Sequence, residues 1–116
     1  MDLVARYARY LDSGDLDGYV SLFTPDAVLF GEHNGRDNIR AYVATVMQRR
    51  AGDPAVRKHF VGLPTIDGTS ERVTVHSYLM WVRFGSDSPA AGAAEYIDEC
   101  VKRDGRWLFQ TRVLQR

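Results

Sequence analysis

The first part of the chain carries apolar residues at helical spacing, in two short segments. Ser13-Gly14 suits the end of the first segment, and Asp15 suits the N-cap of the second. Thr24-Pro25-Asp26 stops the second segment, because proline disfavours helical geometry in the residue before it. The pattern therefore predicts two helices, with apolar positions Leu3, Val4, Tyr7, Ala8 and Leu11 in the first and Leu16, Tyr19, Val20 and Phe23 in the second.

A third helical pattern follows a short predicted strand. The strand runs from Ala27 to Phe30 and is closed by the turn-rich stretch Gly31 to Gly35. Asp37 and Arg49-Arg50 then flank the helix with the charges that its dipole favours, and Gly52-Asp53-Pro54 ends it. Its apolar face consists of Ile39, Tyr42, Val43, Val46 and Met47.

The second half changes to long β-rich runs separated by turn residues. Asp104-Gly105 is a strong hairpin signal between the last two runs. This order of elements predicts one α+β domain over residues 1–116, with three N-terminal helices packed on one face of a curved, mostly antiparallel sheet. The long predicted strands are Val56 to Ile66, Arg72 to Phe84, Ala93 to Arg103 and Arg106 to Gln115.

The composition of the chain limits the partners, the compartment and the cysteine chemistry that we expect. Fifteen basic residues balance fifteen acidic ones, so we expect no nucleic-acid partner. No apolar run approaches the ~20 residues of a membrane span and no secretory signal is visible, so we expect no membrane association. Cys100 is the only cysteine, which excludes an internal disulfide, fits a reducing cytoplasm and leaves no thiolate pair for a metal.

Two of the three histidines fall inside apolar strand patterns, where an imidazole needs a partner. Alternation places His59 on one strand face with Arg57, Val61 and Leu63. Asp12 ends the first helix, where the dipole disfavours a carboxylate, so it needs a compensating cation. A carboxylate on one ring nitrogen would fix the tautomer and free the other nitrogen as a base near neutral pH.

Both residues also have a purely structural interpretation. His59 would then bond the backbone, and Asp12 would be a solvated cap of the Ser13-Gly14 turn. We expect the catalytic pair, in which Asp12 orients His59 and stabilises the imidazolium as the proton arrives.

His76 shares a strand face with apolar residues, which predicts that it points into a barrel interior. There it would donate a proton to a leaving hydroxyl or bind a substrate oxygen; the alternative is a buried histidine with a backbone partner. The residues on this predicted inner face are Tyr78, Met80, Val82 and Phe84.

Trp81 then faces outward with Val75 and Leu79, and such an apolar outer face predicts an oligomer interface. We expect a homodimer or a homotrimer. His33 lies in the polar turn Glu32-His33-Asn34-Gly35, where we expect it to be solvated or at the rim of a pocket.

A third candidate cluster lies on the last two strands. Tyr96, Asp98 and Cys100 share a face that we expect to point inward, where Asp98 needs a cation or donors. Arg112 on the neighbouring strand is the candidate, either as a structural clamp or to hold a polar substrate group. Tyr7, on the core face of the first helix, is expected to line the pocket. The predicted substrate-binding residues are Tyr7, Tyr78, Tyr96, Asp98 and Arg112.

The histidines show no spacing typical of metal ligands. His59 and His76 lie on different strands without HxH or HxxxH spacing, and Asp12 would have to be the third ligand. We therefore expect no metal.

Several short stretches, in order along the whole chain, resemble the SnoaL-like branch of the nuclear transport factor 2-like superfamily. The resemblance implies a cone-shaped α+β barrel, whose sheet wraps a pocket plugged by the helices. The stretches are Tyr7 to Asp15, Phe23 to Val28, Gly35 to Ile39, Glu95 to Asp98 and Arg103 to Phe109.

Within that superfamily the chain is most similar to scytalone dehydratase-type enzymes. Gly52-Asp53-Pro54 and His59-Phe60-Val61-Gly62 resemble the stretch around their first active-site histidine, His76 stands where the second is expected, and Asp12 matches the dyad aspartate. The resemblance implies cofactor-free proton abstraction with departure of a leaving group. Scytalone itself is not the expected substrate, because the family's polar positions correspond to Leu11, Gly31, Ala94 and Tyr96 here.

These observations lead to two functional hypotheses of different classes. The first is a cofactor-independent lyase (a dehydratase) or isomerase/cyclase that acts on a small cyclic apolar substrate through Asp12, His59 and His76. The second is a non-catalytic module of the same fold that binds a small ligand or a protein, since a fold alone does not determine function.

Overall fold

The computed structural model describes all 116 residues. The chain folds as three helices and one six-stranded sheet. The helices are α1 (Leu3–Ser13), α2 (Leu16–Val20) and α3 (Gly35–Ala51), and the strands are β1 (Phe23–Leu29), β2 (His33–Asn34), β3 (Val56–Gly68), β4 (Arg72–Phe84), β5 (Ala90–Arg103) and β6 (Arg106–Gln115).

The strands form one curved, open sheet in the order β2-β1-β6-β5-β4-β3. All neighbouring pairs are antiparallel except β1 and β6, which run parallel. The four long strands from β3 to β6 are consecutive hairpins, and the predicted Asp104-Gly105 turn joins the last two, with positive φ at both residues. The predicted α+β architecture with a mostly antiparallel sheet is confirmed.

The helical predictions hold except at one boundary. Gly14 ends α1 in the left-handed conformation, and the Asp15 carboxylate caps α2 by accepting a 2.9 Å bond from the N–H of Gly18. The prediction that the second helix continues through Phe23 is wrong, because β1 already begins there. Phe23 pairs with Phe109 of β6, so a long-range sheet contact overrides the helical spacing.

The helices cover one face of the sheet and bury the core against it. Leu3, Tyr7 and Leu11 of α1 and Ile39 and Val43 of α3 are buried in this core. Partners from the sheet include Phe23, Leu29, Val75, Leu79, Tyr96 and Phe109. No helix of the chain combines the length and the apolar character that a membrane crossing requires.

A bulge in β3 decides which side chains face the core. The ladder with β4 shifts by one residue between Gly62 and Thr65, where Leu63 has a φ of 51°. His59 consequently pairs with Trp81, whereas beyond the bulge Thr65 pairs with His76. Leu63 is 78% exposed, so the prediction that it shares a face with His59 is wrong.

Candidate active site

A cavity of about 600 Å³ lies between the helices and the concave face of the sheet. This is the size at which proteins bind small organic molecules. Its wall is mostly apolar and aromatic, with one histidine and several arginines. The helices contribute Tyr7, Leu11, Tyr19, Tyr42, Val43, Val46 and Arg50, and the sheet contributes Arg57, His59, Leu79, Trp81, Ala94, Tyr96 and Leu114 among others.

His59 lies on the cavity wall and is held by Asp12. The carboxylate Oδ1 of Asp12 lies 2.6 Å from Nδ1 of the imidazole. The other oxygen, Oδ2, accepts a 2.8 Å hydrogen bond from the backbone N–H of the same histidine. The side chains of His59 and Asp12 are only 9% and 12% exposed, so water competes weakly for the contact.

This geometry defines the state of the imidazole. A carboxylate accepts hydrogen bonds, so Nδ1 must carry the proton that it shares with Asp12. In the neutral ring, Nε2 then holds the free lone pair, and no protein group bonds it. A ring of this tautomer beside a cavity has the arrangement that a general base requires.

The local sequence explains how the two residues meet. Asp12 occupies the last turn of α1, where the free carbonyls are negative, so its charge gains nothing from the helix. The backbone N–H of His59 and the proton on Nδ1 supply the missing donors. Alternation along β3 then turns the ring toward the cavity together with Arg57.

His76 and Tyr78 do not belong to this site, so their predicted positions are wrong. Both lie on the convex face of the sheet, where the His76 side chain is 49% exposed and Tyr78 is 55% exposed. The closest acidic group to the His76 ring is Glu95, 3.8 Å away. The prediction chose the inner face of β4 by its apolar character, but both faces of this strand carry apolar residues, so that criterion does not separate them.

Trp81 is consequently on the inside, and its prediction as an outward interface residue is also wrong. Its ring lines the cavity opposite His59 on the neighbouring strand. Gly92 of β5 is its cross-strand partner on the other side, and a Cβ at Gly92 would lie 2.6 Å from atoms of the indole. The absence of a side chain at Gly92 therefore makes room for the tryptophan.

Tyrosine hydroxyls supply polar groups to an otherwise apolar wall. Tyr7 and Tyr96 line the cavity, as predicted, and so do Tyr19 and Tyr42, which the prediction missed. Tyr19 donates a 2.7 Å hydrogen bond to the hydroxyl of Tyr7. Burial raises the pKa of Tyr7, Tyr19 and Tyr96 above the ordinary value, so these hydroxyls stay protonated donors at neutral pH.

Asp98 and Arg112 form a buried ion pair beneath the cavity, not on its wall. Their side chains are fully buried, and Arg112 Nε lies 3.1 Å from Asp98 Oδ1. The guanidinium carbon of Arg112 lies 3.4 Å from the ring centroid of Tyr96 and 4.1 Å from that of Tyr7. Burial raises the pKa of Asp98 to about 6, although Arg112 opposes the shift. The geometry therefore favours the clamp over the alternative of direct contact with a ligand.

Three arginines that were not predicted as site residues, Arg50, Arg57 and Arg83, line the cavity. Asp53 binds two of them, with Arg57 at 2.9 Å and Arg83 at 3.1 Å. Arg50, in the last turn of α3, makes no hydrogen bond, and its Nη1 is buried. Strand alternation places Arg57 on the same face as His59, so the sequence could have identified Arg57 as a site residue. Arg50 was not identified because the helix dipole already explained an arginine at the end of α3.

His33 and the possible metal-ligand set of His59, His76 and Asp12 add no further group to the cavity. His33 stacks on Tyr42, with ring centroids 3.9 Å apart, and so lies behind a residue of the cavity wall. His59 and His76 point to opposite faces of the sheet, so the two histidines and Asp12 do not converge as a ligand set.

Comparison with known proteins places the chain in a family. Residues 1–113 match the SnoaL-like domain. Sequence comparison matches the chain to no curated protein.

Solved structures share the whole fold. A Nostoc punctiforme protein of unknown function with a cystatin-like fold is 26% identical, with 98% of this chain and 85% of that one covered and a TM-score of 0.83. A Catenulispora acidiphila structure in complex with S-DNPA is 27% identical, with 97% and 87% covered and a TM-score of 0.80. A Novosphingobium aromaticivorans protein described as a candidate scytalone dehydratase is 21% identical, with 97% and 77% covered and a TM-score of 0.83.

Proposed function

The chain belongs to the SnoaL-like domain family, and from this membership and the geometry of its cavity we propose that it is a cofactor-independent lyase or isomerase/cyclase. In this proposal His59 removes a proton from a carbon next to an electron-withdrawing group of a small, ring-containing substrate. Asp12 positions the ring and stabilises the imidazolium that results.

One observation carries the proposal. Nδ1 of His59 is bound to Asp12, while Nε2 is left without a protein partner on the wall of a cavity of about 600 Å³. A histidine that served only structure would use both nitrogens or lie in solid packing. A base that contacts its substrate directly typically contributes ~10²–10⁴-fold to the rate.

The proposed step balances without another reactant. The C–H bond breaks, its proton goes to Nε2, and the electron pair of that bond forms a carbon–carbon double bond while the π electrons of the neighbouring carbonyl move to its oxygen. In a dehydration the enolate re-forms the carbonyl, its electrons form a double bond to the next carbon, the C–O bond of the leaving group breaks there, and the imidazolium gives its proton to the departing oxygen as water forms. In an isomerisation of a β,γ-unsaturated ketone the enolate re-forms the carbonyl, the existing carbon–carbon double bond shifts toward it, and the imidazolium gives its proton to the γ-carbon.

Because His76 lies on the convex face, the second proton transfer must use groups inside the cavity. His59 is the only histidine on the cavity wall, so one imidazole serves as base and then as acid. The hydroxyls of Tyr7 and Tyr96, whose raised pKa keeps them protonated, are available as donors to a carbonyl oxygen on which charge develops. The C. acidiphila relative, solved in complex with S-DNPA, supports uptake of a ligand by this fold.

The proposal is tested by carbon-acid exchange, which requires no knowledge of the natural substrate. 1-Tetralone and chroman-4-one are incubated with the protein in D2O, and loss of the α-proton signals is followed by NMR. We expect catalysed exchange by the wild type and a loss of about 10²–10⁴-fold in His59→Gln. Exchange at the buffer rate with wild type, or equal rates for wild type and His59→Gln, would contradict the proposal.

A non-catalytic ligand-binding module remains the second candidate, because the largely apolar cavity alone would serve it. That function requires no base, so it predicts that ligands bind wild type and His59→Gln alike and that neither accelerates exchange.

A further inference from the structure

The charges around the cavity are unbalanced. Its charged wall residues are Arg50, Arg57, Arg83, Arg116 and, when protonated, His59, and no aspartate or glutamate lines it. Asp12 contacts His59 and Asp53 contacts Arg57, but neither carboxylate lines the cavity itself. A site of this composition has a surplus of positive charge facing an apolar space.

The arginines of the cavity wall differ in the hydrogen-bond and ion-pair partners that they have. Arg83 bonds both oxygens of Asp53 and also Ser86 and the carbonyl of Ser88. Arg57 shares the same Asp53. Arg57 and Arg83 are therefore both held in place by the single carboxylate of Asp53, which their two guanidinium groups share.

Arg50 and Arg116 make no ion pair and no hydrogen bond, but Arg116 is exposed to water. Arg50 is half-buried, and its Nη1 is buried without a partner. Burial lowers the pKa of Arg50, and the positive charge of the neighbouring Arg57 lowers it further, whereas the negative charge of Asp12 raises it. A guanidinium nitrogen that is buried without an acceptor is costly, so a ligand that supplies an acceptor to Nη1 of Arg50 is favoured in this cavity.

Arg50 and the candidate base His59 line the same cavity. Arg50 also lines a smaller cavity of about 260 Å³, which Asp12 lines as well. A ligand that reaches Arg50 from the main cavity therefore shares that cavity with the imidazole of His59. Most of the other lining residues are apolar, with Leu11, Val46, Leu79 and Trp81 as examples.

We propose that Arg50 binds the carboxylate of a ring-containing acid, whose apolar body fills the cavity beside His59. This inference rests on the proposed function, because it names the substrate class of the same site. The negative charge must be permanent rather than formed during the reaction. A neutral substrate would leave the half-buried guanidinium without an anion in the bound complex, whereas a carboxylate compensates it from the moment of binding.

The test compares two probes that differ in charge but hardly in shape. Binding of 6-fluoro-2-naphthoate and of 6-fluoro-2-naphthamide is measured by 19F NMR titration. We expect the acid to bind wild type roughly 10- to 100-fold more tightly than the amide, since a hydrogen bond to a charged group is worth that factor. Arg50→Met should bring the two affinities within about twofold by weakening the acid alone.

Two further variants separate the possible causes. Arg49→Met removes the neighbouring exposed arginine of α3 and should keep the preference for the acid, which excludes a general effect of net charge. Arg50→Lys should restore part of the preference. Equal binding of both probes to wild type, binding of neither probe, or an unchanged preference in Arg50→Met would overturn the assignment.

The two proposals fail independently. His59→Gln should keep the preference for the acid, because the binding measurement involves no proton transfer. If wild type exchanges carbon-bound protons but binds both probes equally, the proposed chemistry stands and the role of Arg50 falls. The opposite pattern removes the chemistry and leaves an acid-binding cavity.

Discussion

Asp12 binds His59 at two points, with one carboxylate oxygen on the imidazole Nδ1 and the other on the backbone N–H of the same residue. The side chain is therefore fixed relative to its own backbone as well as to α1. An oriented imidazole of this kind keeps one tautomer without help from a ligand.

Asp12→Asn tests this double contact. Asparagine offers one acceptor oxygen where aspartate offers two, so either the backbone N–H or the ring nitrogen loses its partner. We expect destabilisation by about 1–3 kcal/mol and a shift of the ring proton from Nδ1 toward Nε2. Long-range 15N NMR of the histidine rings detects the tautomer, and chemical denaturation gives the stability.

Asp67→Asn, at an exposed position whose side chain makes no hydrogen bond or ion pair, serves as the control and should leave both quantities unchanged. A wild-type His59 that already carries its proton on Nε2 would contradict the orientation argued here.

His76 and His59 should differ in their effect on proton exchange. Because His76 is half exposed on the convex face, His76→Gln should change the exchange rate of 1-tetralone by no more than about twofold. His59→Gln should reduce the rate to near that of buffer. If His76→Gln also abolished exchange, the placement of His76 outside the site would be wrong.

The buried Asp98 should make stability depend on pH in an unusual direction. Its pKa is raised to about 6 in the folded protein by burial, against an ordinary value of 3.8. The folded state then binds the proton more tightly than the unfolded state, so this group's contribution to stability is largest at low pH. It declines as the pH rises between about 4 and 6.

Asp98→Asn provides the comparison, because asparagine cannot titrate. We expect the stability of wild type relative to Asp98→Asn to fall by on the order of 2 kcal/mol from pH 4 to pH 7, measured by urea unfolding at each pH. If attraction to Arg112 outweighed burial, the difference would grow with pH instead.

Gly92 should be intolerant of any side chain because Trp81 occupies the space. Gly92→Ala would place a methyl group 2.6 Å from the indole, so the ring must move. We expect a loss of about 1–3 kcal/mol in stability and a shift in tryptophan emission in a Trp107→Phe background. Gly62→Ala on β3 is the matched control, since nothing lies within 4 Å of its added Cβ. Equal effects of the two substitutions would contradict this packing.

Self-association as a homodimer or homotrimer stays a prediction, now assigned to the convex face. Phe60 and Met80 are cross-strand partners there and are 55% and 50% exposed. The balanced net charge gives two copies no overall repulsion. Met80→Lys should shift the mass measured by light scattering toward the monomer, whereas Gln48→Lys on the exposed side of α3 should not. A monomeric wild type would refute the prediction.

Local pattern was sufficient for most of the fold. The limits of β4 and β6 agree with the predicted strands at Arg72–Phe84 and Arg106–Gln115, since alternation and turn residues act within a few positions. The start of β1 was missed because Phe23 follows a helical pattern and becomes a strand only through pairing with Phe109, far along the chain.

The inner face of β4 was assigned wrongly because both faces of the strand carry apolar residues, with Met80 and Phe84 on one and Leu79 and Trp81 on the other. Strand pairing would not have corrected the choice, because an unbroken ladder from the hairpin after Asp67-Gly68 would set His59 opposite Val82, on the side of His76. The extra residue at Leu63 and Pro64 places His59 opposite Trp81 instead. The two-residue alternation of side chains along a strand shows which residues share a face. A single bulged residue reverses which of the two faces points inward.

The contact between Asp12 and His59 also means that the proposed base is not a property of any one segment. A fragment that begins after α1 retains the imidazole but lacks the carboxylate that sets its tautomer, and a peptide from α1 has the reverse defect. Transfer of this site to another scaffold therefore requires copying the distance and angle between a helix end and a strand, rather than a short string of residues.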